Sequence, residues 1–507
     1  MLFLLSCTGK FPCAPGQLLA EDGTCLDAEE TPSDTAPLDT ADTDDTSDTA
    51  IPPSLTILAP APATELFLGT RYDLIALAPD AETAEATITG ATGTCSPLTD
   101  GILHCGLLAE SAGSVQITVL ASSGGVSNTA SLTIPAREAI GVVPRGDQFA
   151  LGMYEVMSED WFPPVADAGF ELAQSYGTGG YTHDDWEGWA AKSGMQTMAR
   201  TSWSWSDPWG EPYTDAELAE VAKYPQIAWW ELPDNAVGDD SYVDEVAALI
   251  ARIRKVDDRP VYMYLWTSIT TEQIEAYVPH LDLIAPGAYP EHACQPQPWI
   301  RWRITSAVEA VTNQGYTTAD KPVIGLADLY GQPDAGCEAA ELAQVRMNPL
   351  AQMAAGADGV LYFAWWYAAN VLEQEWGELA LETGNLITGE AGIGEAVLHG
   401  ASLGDLGVAV LSGPELSESF MPYGTFETIQ YPSIHAAAWD HAGTRYVIAV
   451  NYTDSAVEAR IDGFPARTPG VEIVGEEKTV MPKNGSITTS FEPWGAHVYR
   501  VPIADVP

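Results

Sequence analysis

Apolar runs that end in an acid recur along the middle of this chain. YPQIAWWELPDNAVGDD, residues 224–240, places Glu231 directly after IAWW and Asp234 shortly beyond it. KPVIGLADLYG, residues 321–331, places Asp328 in the same setting, and GMYEV, residues 152–156, ends in Tyr154 and Glu155. Carboxyl groups brought together can protonate a departing oxygen while a second one attacks carbon or activates water. Other apolar runs end in Tyr176, Arg200, Trp203, Trp266, Tyr289 and Trp365. Aromatic rings with polar edges suit flat, hydroxyl-rich ligands, and an arginine can orient a carboxylate. The plain readings stand beside these. A strand that ends in an acid is also how a strand meets water, Asp328 would suit a helix N-cap, and paired tryptophans are core residues more often than not. No HExxH or GxSxG motif occurs, and no histidine or cysteine ends a strand-like run, so zinc peptidase and serine esterase readings lack support. No metal and no cofactor is expected.

These candidates need a frame to gather them. Between 138 and 395, strand-like runs alternate with helical stretches such as HDDWEGWAAKSG and DEVAALIARIRKV. The strands are expected at 149–156, 170–177, 195–203, 227–234, 260–266, 281–290, 321–331 and 359–368. Eight strand-then-helix units in roughly 250 residues predict a (β/α)8 barrel, whose functional residues sit at the C-terminal ends of the strands. Trp365 and Trp366 are then adjacent on strand eight, so at most one of them lines the mouth. An open doubly wound sheet is the competing layout, but no glycine-rich phosphate loop opens a helix.

The flanks read differently. Residues 54–137 are short alternating runs punctuated by Gly, Asn and Pro, which predict an immunoglobulin-like β-sandwich. Residues 396–507 predict a second antiparallel sandwich, with hairpin turns at Asp440–Gly443 and Lys483–Gly485. Residues 26–53 are Asp/Thr/Pro low complexity and read as an acidic, disordered linker. Residues 1–25 read as a signal remnant followed by a short disulfide segment. Of seven cysteines, six form close pairs, Cys13/Cys25, Cys95/Cys105 and Cys294/Cys337, and Cys7 is left over. That arithmetic predicts three disulfides and an oxidising compartment.

The chain carries 71 acidic against 21 basic residues, a formal net charge of −50. Such a surface excludes nucleic acid, whose phosphates need a basic face, and opposes adhesion to anionic lipid. With 16 Trp and 20 Tyr against 11 Phe, the aromatic content leans towards rings with polar edges.

Two resemblances extend this reading. Leu4-Leu5-Ser6-Cys7 resembles a bacterial lipobox, which implies lipid on Cys7 and an outer-membrane or extracellular envelope lipoprotein touching the membrane through its anchor alone. GMYEV, ADAGFELAQSYG, YPQIAWWELPD, DLIAPGAYP, KPVIGLADLYG and GADGVLYFAWW together resemble the barrel of retaining glycoside hydrolase-like proteins, over residues 140–505. The resemblance implies a surface-tethered glycosidase acting on a poly- or oligosaccharide. Glu231 would be its acid/base, Asp328 its nucleophile, and Tyr154, Glu155, Tyr176, Arg200, Trp203, Asp234, Trp266, Tyr289 and Trp365 its sugar-binding residues. In that family the acid/base glutamate directly precedes the proline of strand four. Here the slot holds Leu232, and Glu231 lies one residue earlier. Side chains alternate along a strand, so this displacement reverses the face unless a bulge intervenes. The alternative is a non-catalytic carbohydrate-binding or scaffold lipoprotein on a degenerate barrel.

Overall fold

The computed structural model describes residues 17–19, 25–27, 52–59, 66–67, 71–99, 101–108, 111–137, 149–175, 182–201, 213–233, 240–267, 269–288, 290, 295–329, 341–389, 391–422, 425, 427–465, 468, 470–476 and 478–503. The chain divides into two compact units, Met1–Ala50 and Ile51–Pro507. In the first, strands Gln17–Leu19 and Cys25–Asp27 pair antiparallel. The expected disulfide from Cys13, the lipidation site Cys7 and most of the acidic linker lie outside the described residues.

The second unit opens with a sandwich of two four-stranded sheets. One contains Thr56–Ala59, Arg71–Leu77, Ile102–Leu108 and Thr92–Cys95; the other contains Leu66–Phe67, Val126–Arg137, Gly113–Ser123 and Thr83–Thr89. Period-two burial along Gly113–Ser123 sends Val115, Ile117 and Val119 inward against Leu74, Ala76, Leu103 and Leu107. Cys95 and Cys105 lie opposite each other on paired strands and form a disulfide, one of the three expected pairs.

Eight parallel strands follow, each leading into a helix. They are β1 (Ala150–Tyr154), β2 (Leu172–Gln174), β3 (Gln196–Arg200), β4 (Ile227–Glu231), β5 (Val261–Leu265), β6 (Leu283–Pro286), β7 (Ile324–Asp328) and β8 (Gly359–Phe363). Their order runs β6-β5-β4-β3-β2-β1-β8-β7. A parallel bridge from Ile284 to Val323, with Ile284 N–H donating to Pro322 O at 2.9 Å, closes the barrel. All eight strands fall where the alternation of apolar runs and helical stretches places them.

The helices are α1 (Phe162–Asp167), α2 (His183–Ser193), α3 (Asp215–Val221), α4 (Val243–Ile253), α5 (Thr271–Tyr277), α6 (Trp299–Asn313), α7 (Leu342–Ala354), α8 (Trp365–Asn370), α9 (Gln374–Thr388) and α10 (Ile393–His399). Thr182, Thr214 and Thr270 each cap a helix reciprocally, with Asp185, Glu217 and Gln273 reaching back to the cap. In α4 the buried residues Val246, Leu249, Ile250 and Ile253 recur at helical spacing, so one face packs on the barrel. One expectation is corrected here. Strand eight stops at Phe363, and Trp365 is the first residue of α8 rather than a strand residue. Its ring packs beside Ala368 and Gly377 in the apolar layer between barrel and helices, so it does not line the mouth.

The C-terminal sandwich packs a six-stranded sheet on a three-stranded one. Ile434–His441 and Thr444–Asn451, the centre of the larger sheet, are buried on both faces. Ala436, Ala438, Val447 and Ala449 face the smaller sheet, whereas Ala437, Trp439, Ile448 and Val450 join the apolar layer with Val345, Leu350 and Ile393 of the barrel helices. Both expected turns are present. Ala442 and Gly443, and Asn484 and Gly485, take the left-handed backbone that two-residue hairpin loops require.

Candidate active site

The inside of the barrel is built by alternation. On β5, Tyr262 and Tyr264 face in, while Val261, Met263 and Leu265 face the helices. On β7, Ile324 and Leu326 face in and Ala327 and Leu329 face out, which puts Asp328 on the inward side. The same count places Arg200 of β3 inward with Met198.

Strand β4 breaks the count. Thr197 pairs with Ile227, but Met198 pairs with Trp229, so Ala228 is an extra residue in the strand. Ala228 and Trp229 both join the inner cluster, whereas Ile227, Trp230 and Leu232 join the outer one. Without this bulge, Leu232 would face the interior and Glu231 the helices. With it, Glu231 turns inward and Leu232 is buried in the outer apolar layer. Burying a leucine contributes about 1.5–3 kcal/mol, and an unpaired carboxylate in the apolar layer would be costly, so both terms favour the bulged register.

Glu231 is 2% exposed and held by neighbours from across the barrel. The Tyr154 hydroxyl of β1 donates to Oε1 at 3.1 Å, and the Gln174 Nε2 of β2 donates to Oε2 at 2.6 Å. The Tyr154 oxygen also lies 2.8 Å from the Tyr262 hydroxyl, and the Tyr262 ring stacks on Trp229. Arg200 is the register partner of Glu231 on the neighbouring strand. Tyr262 was not among the expected site residues. Gln174 ends a strand-like run, but nothing local says that its amide meets a carboxylate two strands and 57 residues away.

Asp328 is buried and stands at the level of Phe363 on β8, whose ring meets the edge of Tyr154 at 5.7 Å. Trp266 follows β5 and contacts the Tyr264 ring edge-on. Gly287, beyond β6, leaves room for Tyr264, since a Cβ there would lie 2.3 Å from the Tyr264 hydroxyl oxygen. Behind these ends, the fully buried Arg303 of α6 donates to Ile269 O at 2.7 Å and Gly287 O at 3.2 Å, pinning the segments after β5 and β6. Burial lowers its guanidinium to about 10.

Glu155 follows Tyr154 at the end of β1. Its backbone is left-handed, φ 58°, and its side chain is buried. Burial alone pushes its carboxyl up from 4.5 to about 7. Of the remaining expected site residues, Tyr176, Trp203, Asp234, Tyr289, Cys294 and Cys337 lie outside the described residues.

Among the described residues no three His, Cys, Asp or Glu side chains gather as a metal cage. A groove of about 450 Å³ lies on the C-terminal sandwich near Tyr446, Glu472 and Arg500. Among the described residues its one carboxylate, Glu472, is engaged by the Arg500 guanidinium at 2.9–3.0 Å, so concavity there lacks the acid chemistry of the barrel mouth.

No family model and no curated protein matches the sequence. Solved structures of similar layout include a candidate α-galactosidase/melibiase from Bacteroides fragilis, at 11% identity and TM-score 0.43 over 89% of this chain and 98% of that one. An α-amylase from Geobacillus thermoleovorans complexed with acarbose aligns at 10% identity and TM-score 0.45, over 70% and 98% of the respective chains. The α-galactosidase I of Mortierella vinacea aligns at 11% identity and TM-score 0.44, over 70% and 97%. At these identities and scores the likeness carries no weight for activity, and the functional reading rests on the barrel mouth itself.

Proposed function

We propose that this protein cleaves O-glycosidic bonds of a poly- or oligosaccharide at the C-terminal mouth of its barrel. The observation that carries the reading is the β4 bulge, which turns Glu231 into the interior despite its displaced position and sets it in a cluster of Tyr154, Gln174, Arg200 and Tyr262. Asp328, inward on β7, is the attacking carboxylate. Glu231 accepts hydrogen bonds at both oxygens, an arrangement that suits a carboxylate acting as an anion beside the positive charge that develops on the sugar ring. Trp266 and, further along the sequence from their strands, Tyr176, Trp203, Asp234 and Tyr289 would contact the sugar.

The test is a screen of the full-length chain against a polysaccharide panel, reading new reducing ends. Hydrolysis of at least one member, lost in Asp328→Asn, supports the reading. The same engagement of both Glu231 oxygens favours a second reading, a carbohydrate-binding barrel that does not cleave; glycan binding without hydrolysis would establish it. For location, we propose an envelope lipoprotein anchored through Cys7, with residues 26–53 as spacer. Mass spectrometry of membrane-extracted protein should find an acylated N-terminal Cys7, and an unlipidated mature chain starting elsewhere would overturn the anchor.

A further inference from the structure

With Glu231 engaged at both oxygens, the site still needs a group that can give a proton to the departing oxygen. We propose that Glu155 is this proton donor and works opposite Asp328; the proposal rests on the glycosidase reading above.

Three features of Glu155 carry it. The first is position. Glu155 follows β1 at the end of the barrel where Glu231 and Asp328 also lie. Met153 pairs with Tyr362 and Asp328 pairs with Phe363, so Tyr154, Phe363 and Asp328 stand at one level on β1, β8 and β7. Glu155 is one residue above that level. Two strand spacings put about 10 Å between the backbones of β1 and β7, which leaves room for a sugar ring between groups carried at the two strand ends. Paired carboxyl groups in glycosidases stand about 5–9.5 Å apart.

The second feature is the backbone. Glutamate in left-handed conformation is strained, and such strain persists only where the surroundings hold it; it concentrates at sites that act on ligands. The third is solvation. Glu155 is 6% exposed, and its Oε2 has no hydrogen-bond donor among the described residues. A buried carboxylate without a donor is costly, so this oxygen wants a proton or a ligand hydroxyl. The shift of its carboxyl to about 7 agrees, and no charged neighbour contributes to it. Among the described residues, the titratable or charged side chains at this end of the barrel include Tyr154, Arg200, Glu231, Tyr262, Tyr264, Arg303 and Asp328.

The step balances simply. The Glu155 carboxyl proton passes to the glycosidic oxygen as the bond from that oxygen to the anomeric carbon breaks, its electron pair leaving on oxygen. The Asp328 carboxylate forms a bond to the anomeric carbon. Glu155, now a carboxylate, takes a proton from water, whose oxygen displaces Asp328 and restores both groups.

The experiment compares full-length wild type, Glu155→Gln and Glu231→Gln on an oligosaccharide cleaved in the panel and on the 4-nitrophenyl glycoside of the same sugar. Glu155→Gln should lower kcat/KM on the oligosaccharide by about 10²–10⁴-fold and spare the aryl glycoside, whose leaving group needs little protonation. In wild type, oligosaccharide turnover should fall as pH rises through about 7, because the donor must carry its proton, and this limb should vanish in Glu155→Gln. Glu231→Gln should lose both substrates alike. An independent readout is the infrared difference spectrum of wild type minus Glu155→Gln, which should show one protonated-carboxyl band at pH 6 that titrates near neutrality; the bands of Glu187 and Asp358, also raised to about 7 by burial, cancel in it. Active wild type with Glu155→Gln equally active, or impaired equally on both substrates, overturns the proposal. So does a difference spectrum that lacks this band. Wild type that binds glycans and cleaves none fails at the earlier step, and refutes the glycosidase reading together with any catalytic role for Glu155.

Discussion

The two ends of the barrel treat buried acids in opposite ways. At the end where the strands begin, carboxylates meet cations and backbone amides. Asp257 is fully buried and paired with Arg259, which also donates to the carbonyls of Ala222, Tyr224 and Ile227. Asp282 is paired with Arg254 and accepts from Val261 N–H. At the end where the strands finish, Glu231 is met by a phenol and an amide with Arg200 beside it in register, and Glu155 Oε2 is met by no described donor. A fully satisfied ion pair locks loops in place. An acid left short of donors is expensive for the fold and available to a ligand. The contrast matches the division of labour in such barrels, stability below and chemistry above.

The sharpest way to break this comparison is to exchange the readouts. Asp328→Asn should abolish turnover on every substrate cleaved, since attack itself is lost, while the urea midpoint stays close to wild type. Asp257→Ala should do the reverse. It leaves Arg259 buried and charged without its acid and should cost about 3–5 kcal/mol of stability, with kcat of the folded fraction unchanged. Loss of stability in the first or loss of kcat in the second would dissolve the distinction.

A disulfide between Cys294 and Cys337 would sharpen it, because in the sequence one follows β6 and the other follows β7. Closing a loop of this length is worth about 4 kcal/mol in the chain-entropy treatment. Non-reducing peptide mapping of protein isolated without reductant should recover the pair linked, and two free thiols would remove this tie.

The smallest effect concerns Glu187 of α2, buried against Thr197 of β3. Burial raises its carboxyl from 4.5 to about 7, more than the Thr197 bond and the Arg259 charge lower it. The folded chain therefore holds this proton at pH values where the unfolded chain has lost it. Its contribution is intact below about pH 4.5 and is lost as pH rises to about 7, by at most about 3 kcal/mol. Glu187→Gln should match wild type in urea at pH 4 and exceed it at pH 8. An equal difference at both pH values would show that shape rather than charge decides.

Much of this organisation was legible in the chain alone. Period-two and helical patterns are local, so eight strands, their helices and both sandwiches could be located from neighbouring residues. Cys95 and Cys105 lie so near in sequence that a hairpin brings them together whatever the rest does. The acids at strand ends could be named, because a strand that stops in an acid is itself a sequence feature. What the acids face was not legible. Whether Glu231 or Leu232 points inward depends on an extra residue at Ala228, and that bulge exists through the pairing of β4 with β3, two segments that meet only in the closed barrel. Trp365 lies in a helix because the chain turns sharply after β8 to pack on α9, a contact that no window around FAWW contains. The donors on Glu231, and the lack of one on Glu155 Oε2 among the described residues, are sums over side chains from different strands. Sequence determines which groups are carried to the mouth; desolvation and hydrogen bonding, which decide what each can do there, are properties of the assembled barrel.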